Sequence, residues 1–385
     1  MQYIAKRFKY VRIYGGIFFA IALFGYPIVG NFVSWFDIDS RILSIPFRIF
    51  VGFFSILTIV VARDLRLDKW RLFMLFIWIA LILRLAFDIS IAEIETAEYA
   101  LQFFLISCVL PAVAIWSLNA YSQKYYALAG FIVAATGSLI ALLGNNYGVF
   151  GESDLTEITG RLSSVALNPV SLGHLAVSGF ICGLEMMQTV KYRTRAVLMI
   201  IMLALIVIVV ETGSKGPVVA LLITLLIWMR QRGLNTLLIG VTIPVVIAVS
   251  VYFDNPLSQR LSTVDNDIST IDRIAFVNDS IQQIANSPWI GSASVELKSG
   301  SHPHNIFLES GLSFGLPLTV VLAVLLGYGL FKSFSMLKYE HYLVPLLFIQ
   351  ALVISQISGA LFADSMLWIC LVLILGSKVY KNEEK

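Results

Sequence analysis

Charge is scarce in this chain. Asp, Glu, Lys and Arg make up 13% of its 385 residues, against 58% hydrophobic residues, and the mean hydropathy is +0.85. An average soluble domain carries a charged share of about 25%, so a water-soluble globule is excluded. Cysteine is rarer still. Cys108, Cys182 and Cys370 all fall in apolar segments, which leaves neither a disulfide framework nor a cysteine-rich metal site. The polar–apolar alternation of a transmembrane β-barrel, built from strands of about 10 residues, is also missing. No small-residue cleavage signature follows the basic start MQYIAKRFKYVR, so an uncleaved first span is expected. No internal repeat or low-complexity tract divides the chain, and residues 1–385 read as a single integral membrane domain.

What is present is a succession of apolar runs, each of the length that crosses about 30 Å of hydrocarbon as helix. The fold class is therefore all-α, a polytopic membrane protein of about twelve transmembrane helices. The spans are expected near 12–32, 42–62, 71–89, 98–118, 125–145, 170–188, 196–211, 216–229, 234–252, 305–331, 342–360 and 363–379. Most of the 27 Lys and Arg residues lie at alternate ends of these spans, which places both termini in the cytoplasm by the positive-inside rule. Two long external connections remain, 146–169 and 253–304. Within the larger, apolar residues at 271, 274, 277, 281 and 284 are spaced as on a helix, with Ser269 and Asp272 as start signals and Pro288 beyond the end. This segment is expected to form an amphipathic helix along the outer membrane surface.

Charge inside such a chain marks candidate function. Arg48 and Arg84 sit at similar depth near the outer ends of the second and third spans. They fit either a pocket for an anionic headgroup, or a snorkelling Arg48 beside an Arg84–Asp88 pair at i,i+4. In TGSKGP (212–217), Ser214 is placed to cap the next helix, Pro217 suits its first turn, and Lys215 adds charge. A helix N-terminus of this kind makes an anion site; an ordinary interfacial turn is the alternative. Arg161, Arg260 and Arg273 stand in the external loops. Each alone reads as solvated, but together they offer the fixed positive charge that a pyrophosphate leaving group needs.

Only four histidines occur, and two fall in HPHN at the mouth of the tenth span. Helix-start duty accounts for Asn305, and His302 and His304 could share it. A His-X-His metal site lacks a third ligand nearby. An imidazole with a pKa near 6.5 can instead take a proton from a substrate hydroxyl, which makes His304 the candidate base. His174 reads as a buried helical histidine and His341 as a cytoplasmic surface one.

These stretches resemble the O-antigen ligase and polymerase superfamily. In HPHNIFLESGLSFGLP, His304, Asn305 and Gly315 fit the spacing of its signature. GRLSSVALNPVSLG is similar to its loop arginine and Asn-Pro re-entry, and TGSKGP to its Ser-Arg-Gly turn with Lys215 in place of arginine. DRIAFVNDSIQQIANSPWIG is similar to the helix before the signature. The motifs cover about 155–320. The resemblance implies a metal-independent, inverting glycosyltransferase of the bacterial inner membrane that needs no cofactor. It would take a glycan from undecaprenyl pyrophosphate on the periplasmic face. The acceptor would be a lipid-linked repeat unit or lipid A–core, a chain-length regulator is a candidate partner, and nucleic acid is not. Carried over, Arg161 and one of Lys215 or Arg260 bind the pyrophosphate, and His304 is the base or orients the acceptor. Leu318, where ligases usually carry Gly or Thr, favours a repeat-unit polymerase over a ligase. A polytopic transporter or flippase is the more distant alternative; it would predict repeat-related broken helices and midplane charge.

Overall fold

The computed structural model describes residues 2–34, 40–62, 65, 67–118, 121–147, 161–164, 167–232, 257 and 268–377. Over these residues the protein is helical: α1 (Gln2–Ser34), α2 (Ser40–Ala62), α3 (Lys69–Ser90), α4 (Glu95–Phe103), α5 (Leu110–Leu118), α6 (Gln123–Tyr147), α7 (Pro169–Met186), α8 (Tyr192–Glu211), α9 (Lys215–Gln231), α10 (Ile268–Asn286), α11 (Ile306–Lys338), α12 (Leu343–Ile354) and α13 (Ser365–Gly376). A π-helical turn, Phe104–Val109, joins α4 to α5. Eight stretches within the described helices are long and apolar enough to cross a membrane. The expected span at 234–252 lies outside the described residues.

α1 packs on α6, α6 on α7 and α7 on α8, while α2 lies against α1, the π-turn and α5. Small residues set the closest approaches. A Cβ on Gly173 of α7 would stand 2.6 Å from Pro217 Cγ of α9, so this glycine is what brings α7 against the 212–217 turn. Side chains such as Trp78, Trp368, Phe104 and Phe348 fill the interior, while the outer faces of α2 and α3 carry exposed Phe53, Ile56, Phe76 and Leu83. That inversion suits a hydrocarbon solvent.

Two differences from the expected spans shape the site. The helix expected over 342–360 stops at Ile354, where SQISG supplies turn-forming residues: Ile357 N and Ser358 N both donate to Ile354 O, at 2.8 and 2.9 Å. α12 and α13 each have 12 residues, about 18 Å at 1.5 Å per residue, well short of a bilayer crossing of about 30 Å. The irregular turn between them, 355–364, is therefore held within the helix bundle. Such backbone is tolerated there only where its polar groups are satisfied or line a cavity.

The second difference is in α11. Gly315 adopts φ 75°, ψ 179° and breaks the helix into two pieces. Leu316 N then turns to Pro288 O, 2.7 Å away. α10 meets α11 through Ile284, which lies over Gly311, and Ser280 of α10 is buried. Its apolar residues Ile274, Val277 and Ile281 face outward.

Candidate active site

α11 begins at the 355–364 turn. Asn305 is its N-cap: Oδ1 accepts from Phe307 N at 3.0 Å and Leu308 N at 3.1 Å. Nδ2 donates to Gln356 O and Gln356 Oε1, at 3.1 and 3.2 Å, and Ile306 N donates to Ser355 O at 3.0 Å. One turn on, buried Glu309 accepts from Leu361 N at 2.6 Å. Its other oxygen lies 3.4 Å from His302 Nδ1, and the His302 ring rests on Phe362, with centroids 4.6 Å apart. His302 thus contacts Glu309 and Phe362, fastening the loop to the turn.

His304, between these anchors, has φ 56°. The left-handed region is unusual for a side chain with a Cβ and costs roughly 1–3 kcal/mol, paid where surrounding contacts over-determine the geometry. Its imidazole lines a cavity of about 640 Å³. Partial burial first, then the nearby Arg273 and His302, lower its pKa from 6.5, with Glu309 acting in the opposite direction. The ring is therefore neutral at pH 7 and able to accept a proton.

The cavity is also lined by Asn168, the N-cap of α7, by Ser171, His174 and Ser178 of α7, and by Arg48, Tyr99 and Phe103 of α2 and α4. Among the described residues, neither ring nitrogen of His174 has a hydrogen-bond partner. Its Nε2 would lie 3.8 Å from a Cβ on Gly216, the second residue of α9. His174 therefore stands between the cavity and the N-terminal turn of α9.

Arg161 organises that turn. Its Nε donates to Thr212 O at 2.9 Å and a terminal nitrogen donates to Ser214 Oγ at 2.7 Å, while Leu162 N donates to Glu211 O at 2.9 Å. Ser214 occupies the N-cap position of α9 but makes no side-chain cap bond. The expected cap fails because its hydroxyl is engaged with Arg161 and with Thr212 O, 3.3 Å away. Lys215 opens α9 beside it. The sequence candidates Arg161, Ser214 and Lys215 are thus brought into one turn, and His304 and Arg48 into one cavity, with His174 between the two groups.

Other candidates lie apart. Arg84 pairs with buried Asp88 at 2.6 Å and donates to Ser292 O; Asp88 also accepts from Ser294 N at 2.7 Å. This pair clamps the 292–294 segment to α3 and does not line the cavity. Arg273, by contrast, is exposed on α10 and outside the cavity lining, yet close enough to His304 to lower its pKa. Arg260 lies outside the described residues.

Residues 200–323 match the family model Wzy_C, described as O-antigen ligase. The match supports membership of the O-antigen ligase/polymerase superfamily. No curated protein shows a significant sequence match to the chain. The stretch matched by the O-antigen ligase model holds the 212–217 turn, α10, His302, His304 and the kink at Gly315. It leaves out Arg161, α7 with His174, and the 355–364 turn, so much of the cavity wall comes from outside it. Sequence reasoning assigned no role to two cavity groups. His174 read as an ordinary core histidine because one turn of helix cannot reveal whether a ring has a partner. Asp364 fell inside the span expected at 363–379 and was not singled out; it caps α13 through Leu367 N at 3.0 Å, and its Oδ2 has no partner among the described residues.

Proposed function

We propose that the protein transfers a glycan from undecaprenyl pyrophosphate to a sugar hydroxyl at the periplasmic face of a bacterial inner membrane, as a repeat-unit polymerase. The observation that carries this reading is His304, a neutral imidazole held in a left-handed conformation and facing a large cavity. The family match supports the reaction class.

The acceptor hydroxyl oxygen attacks the anomeric carbon of the donor sugar as the bond from that carbon to the pyrophosphate oxygen breaks. His304 takes the hydroxyl proton, and the pyrophosphate leaves on its lipid with the bonding electrons. Attack opposite the leaving group inverts the anomeric centre. Pyrophosphate needs only fixed positive charge, so no metal is invoked. Lys215, the backbone N–H groups at the start of α9 and the turn that Arg161 holds supply that charge. Proton transfer by a positioned base accounts for about 10²–10⁴ in rate.

The matched family is that of O-antigen ligase, which favours a second reading, a ligase that delivers the glycan to lipid A–core. Purified protein incubated with a defined lipid-linked donor and each acceptor in turn distinguishes the two. Chain extension of the lipid-linked repeat supports polymerase, and transfer to lipid A–core supports ligase. Failure with both acceptors removes the glycosyltransferase reading.

A further inference from the structure

Arg48 is placed differently from the other arginines at this end of the bundle. Arg84 is neutralised by Asp88, and Arg161 spends its donors on Thr212 O and Ser214. Arg48 lies within a membrane-spanning stretch, Ser44–Ala62, yet it meets only neutral groups. It donates to Tyr99 OH at 3.2 Å, and its guanidinium carbon lies 4.6 Å from the Phe103 ring centre and 5.5 Å from that of Tyr99. Among the described residues no carboxylate pairs with it. Asp364 shares the cavity, with Oδ1 accepting from Leu367 N and Oδ2 making no hydrogen bond among the described residues. A guanidinium in a membrane segment without a counter-charge is expensive and marks a place to which an anion is brought. The aromatic platform orients the group without neutralising it.

Position shows which anion. α2 packs on α1, the π-turn and α5, whereas α9 packs on α7, α8 and α12. Arg48, which lines the cavity, and the Lys215 turn, which does not, are therefore held by different helices. The cavity of about 640 Å³ lies in the range of pockets that enclose a whole organic ligand, about 300–1,000 Å³, so it has room for more than one diphosphate. α1 and α2 contribute apolar Leu23, Phe24, Phe47 and Val51 to its lining, which suits the root of a lipid chain.

We propose that Arg48, with Tyr99 and Phe103, forms a second anion subsite that holds a phosphate of the acceptor lipid, while the acceptor's sugar hydroxyl faces His304. This rests on the glycan-transfer reading and adds to it the residue that holds the acceptor by its phosphate. The phosphate belongs either to a polyprenyl-linked repeat unit or to a phosphorylated glycolipid.

Two measurements on the full-length protein test it. Native mass spectrometry with undecaprenyl phosphate as probe should show two lipids bound to the wild type, one to Arg48→Gln, and two again to Arg48→Lys. One lipid on the wild type, or two on Arg48→Gln, overturns the subsite. In transfer assays Arg48→Gln should raise the acceptor KM about tenfold or more, the effect of losing one charge-assisted contact, and leave the donor KM within about twofold. The acceptor lipid that shows this dependence, repeat unit or glycolipid, is the one the subsite serves. A dephosphorylated acceptor should be insensitive to Arg48. Equal KM values for wild type and Arg48→Gln with both acceptors, or a rise confined to the donor, overturn the proposal. If the wild type binds two lipids in an Arg48-dependent way but transfers no glycan, the subsite stands as a phospholipid site and the transferase reading falls.

Discussion

Asn305 joins the start of α11 to the 355–364 turn, with Oδ1 accepting from Phe307 N and Leu308 N and Nδ2 donating to Gln356 O and Oε1. One amide thus fixes the backbone next to His304 from both sides. Asn305→Asp keeps the cap but places a carboxylate against two acceptor oxygens, while Asn305→Ala loses both functions. Loss of the cap alone costs about 1 kcal/mol. Both variants should lose activity through misplacement of His304, and only Asn305→Ala should also lose the cap's contribution to thermal stability in detergent. An Asn305→Asp enzyme with wild-type kcat would show that the tie to Gln356 is dispensable.

His304→Ala should reduce transfer by about 10²–10⁴, the range for a positioned base, with expression and membrane insertion intact. The acid limb of kcat/KM should fall below pH 6.5, because burial and Arg273 lower the pKa of His304 and the base form persists to lower pH. Neighbouring charges then give opposite signs. Arg273→Gln removes a positive neighbour, raises the pKa and should move the limb to higher pH. Glu309→Gln removes a negative neighbour and should move it to lower pH. Shifts in the same direction would show that the limb belongs to another group.

Arg161→Lys tests geometry against charge. The guanidinium spans Thr212 O and Ser214 Oγ at once, and a single ammonium cannot reproduce that planar fork. Transfer by Arg161→Lys should therefore fall nearly as far as by Arg161→Ala. Substantial activity in the lysine variant, read as initial rate at saturating donor, would mean that charge alone suffices.

Gly315→Ala should destabilise the fold by more than about 1 kcal/mol. The residue has φ 75°, and an added Cβ would stand 2.5 Å from Trp289 C and 2.6 Å from Pro288 O, both backbone atoms that cannot step aside. Gly327 in the same helix has nothing within 4 Å of that position. Gly327→Ala should be neutral or slightly stabilising, since alanine is the better helix former. A thermal melt of the two variants in parallel separates local strain from a general effect of added bulk.

The membrane class and most helix positions were legible in the sequence because length and hydropathy are local properties that a bilayer selects directly. Asn305 was legible as a helix start for the same reason, as were the motifs of the 212–217 turn and the HPHN stretch. The early end of α12 was missed: SQISGA is too short and mild to break a hydropathy window, and its helix-ending effect emerges from partners on α11. Arg48 and Arg84 looked alike in sequence, both single arginines at similar depth. What separates them is contact across the chain. Arg84 finds Asp88 nearby and Ser292 O 208 positions away, whereas Arg48 finds aromatic rings and an open cavity. His174 differs from a satisfied core histidine in that its ring meets no hydrogen-bond partner among the described residues, which no pattern within one helix encodes. By itself the sequence determined which segments enter the membrane, through transfer energies that each segment carries alone. Only the tertiary structure decided which buried charges are already satisfied, because pairing depends on residues far apart in the chain meeting at hydrogen-bonding distance.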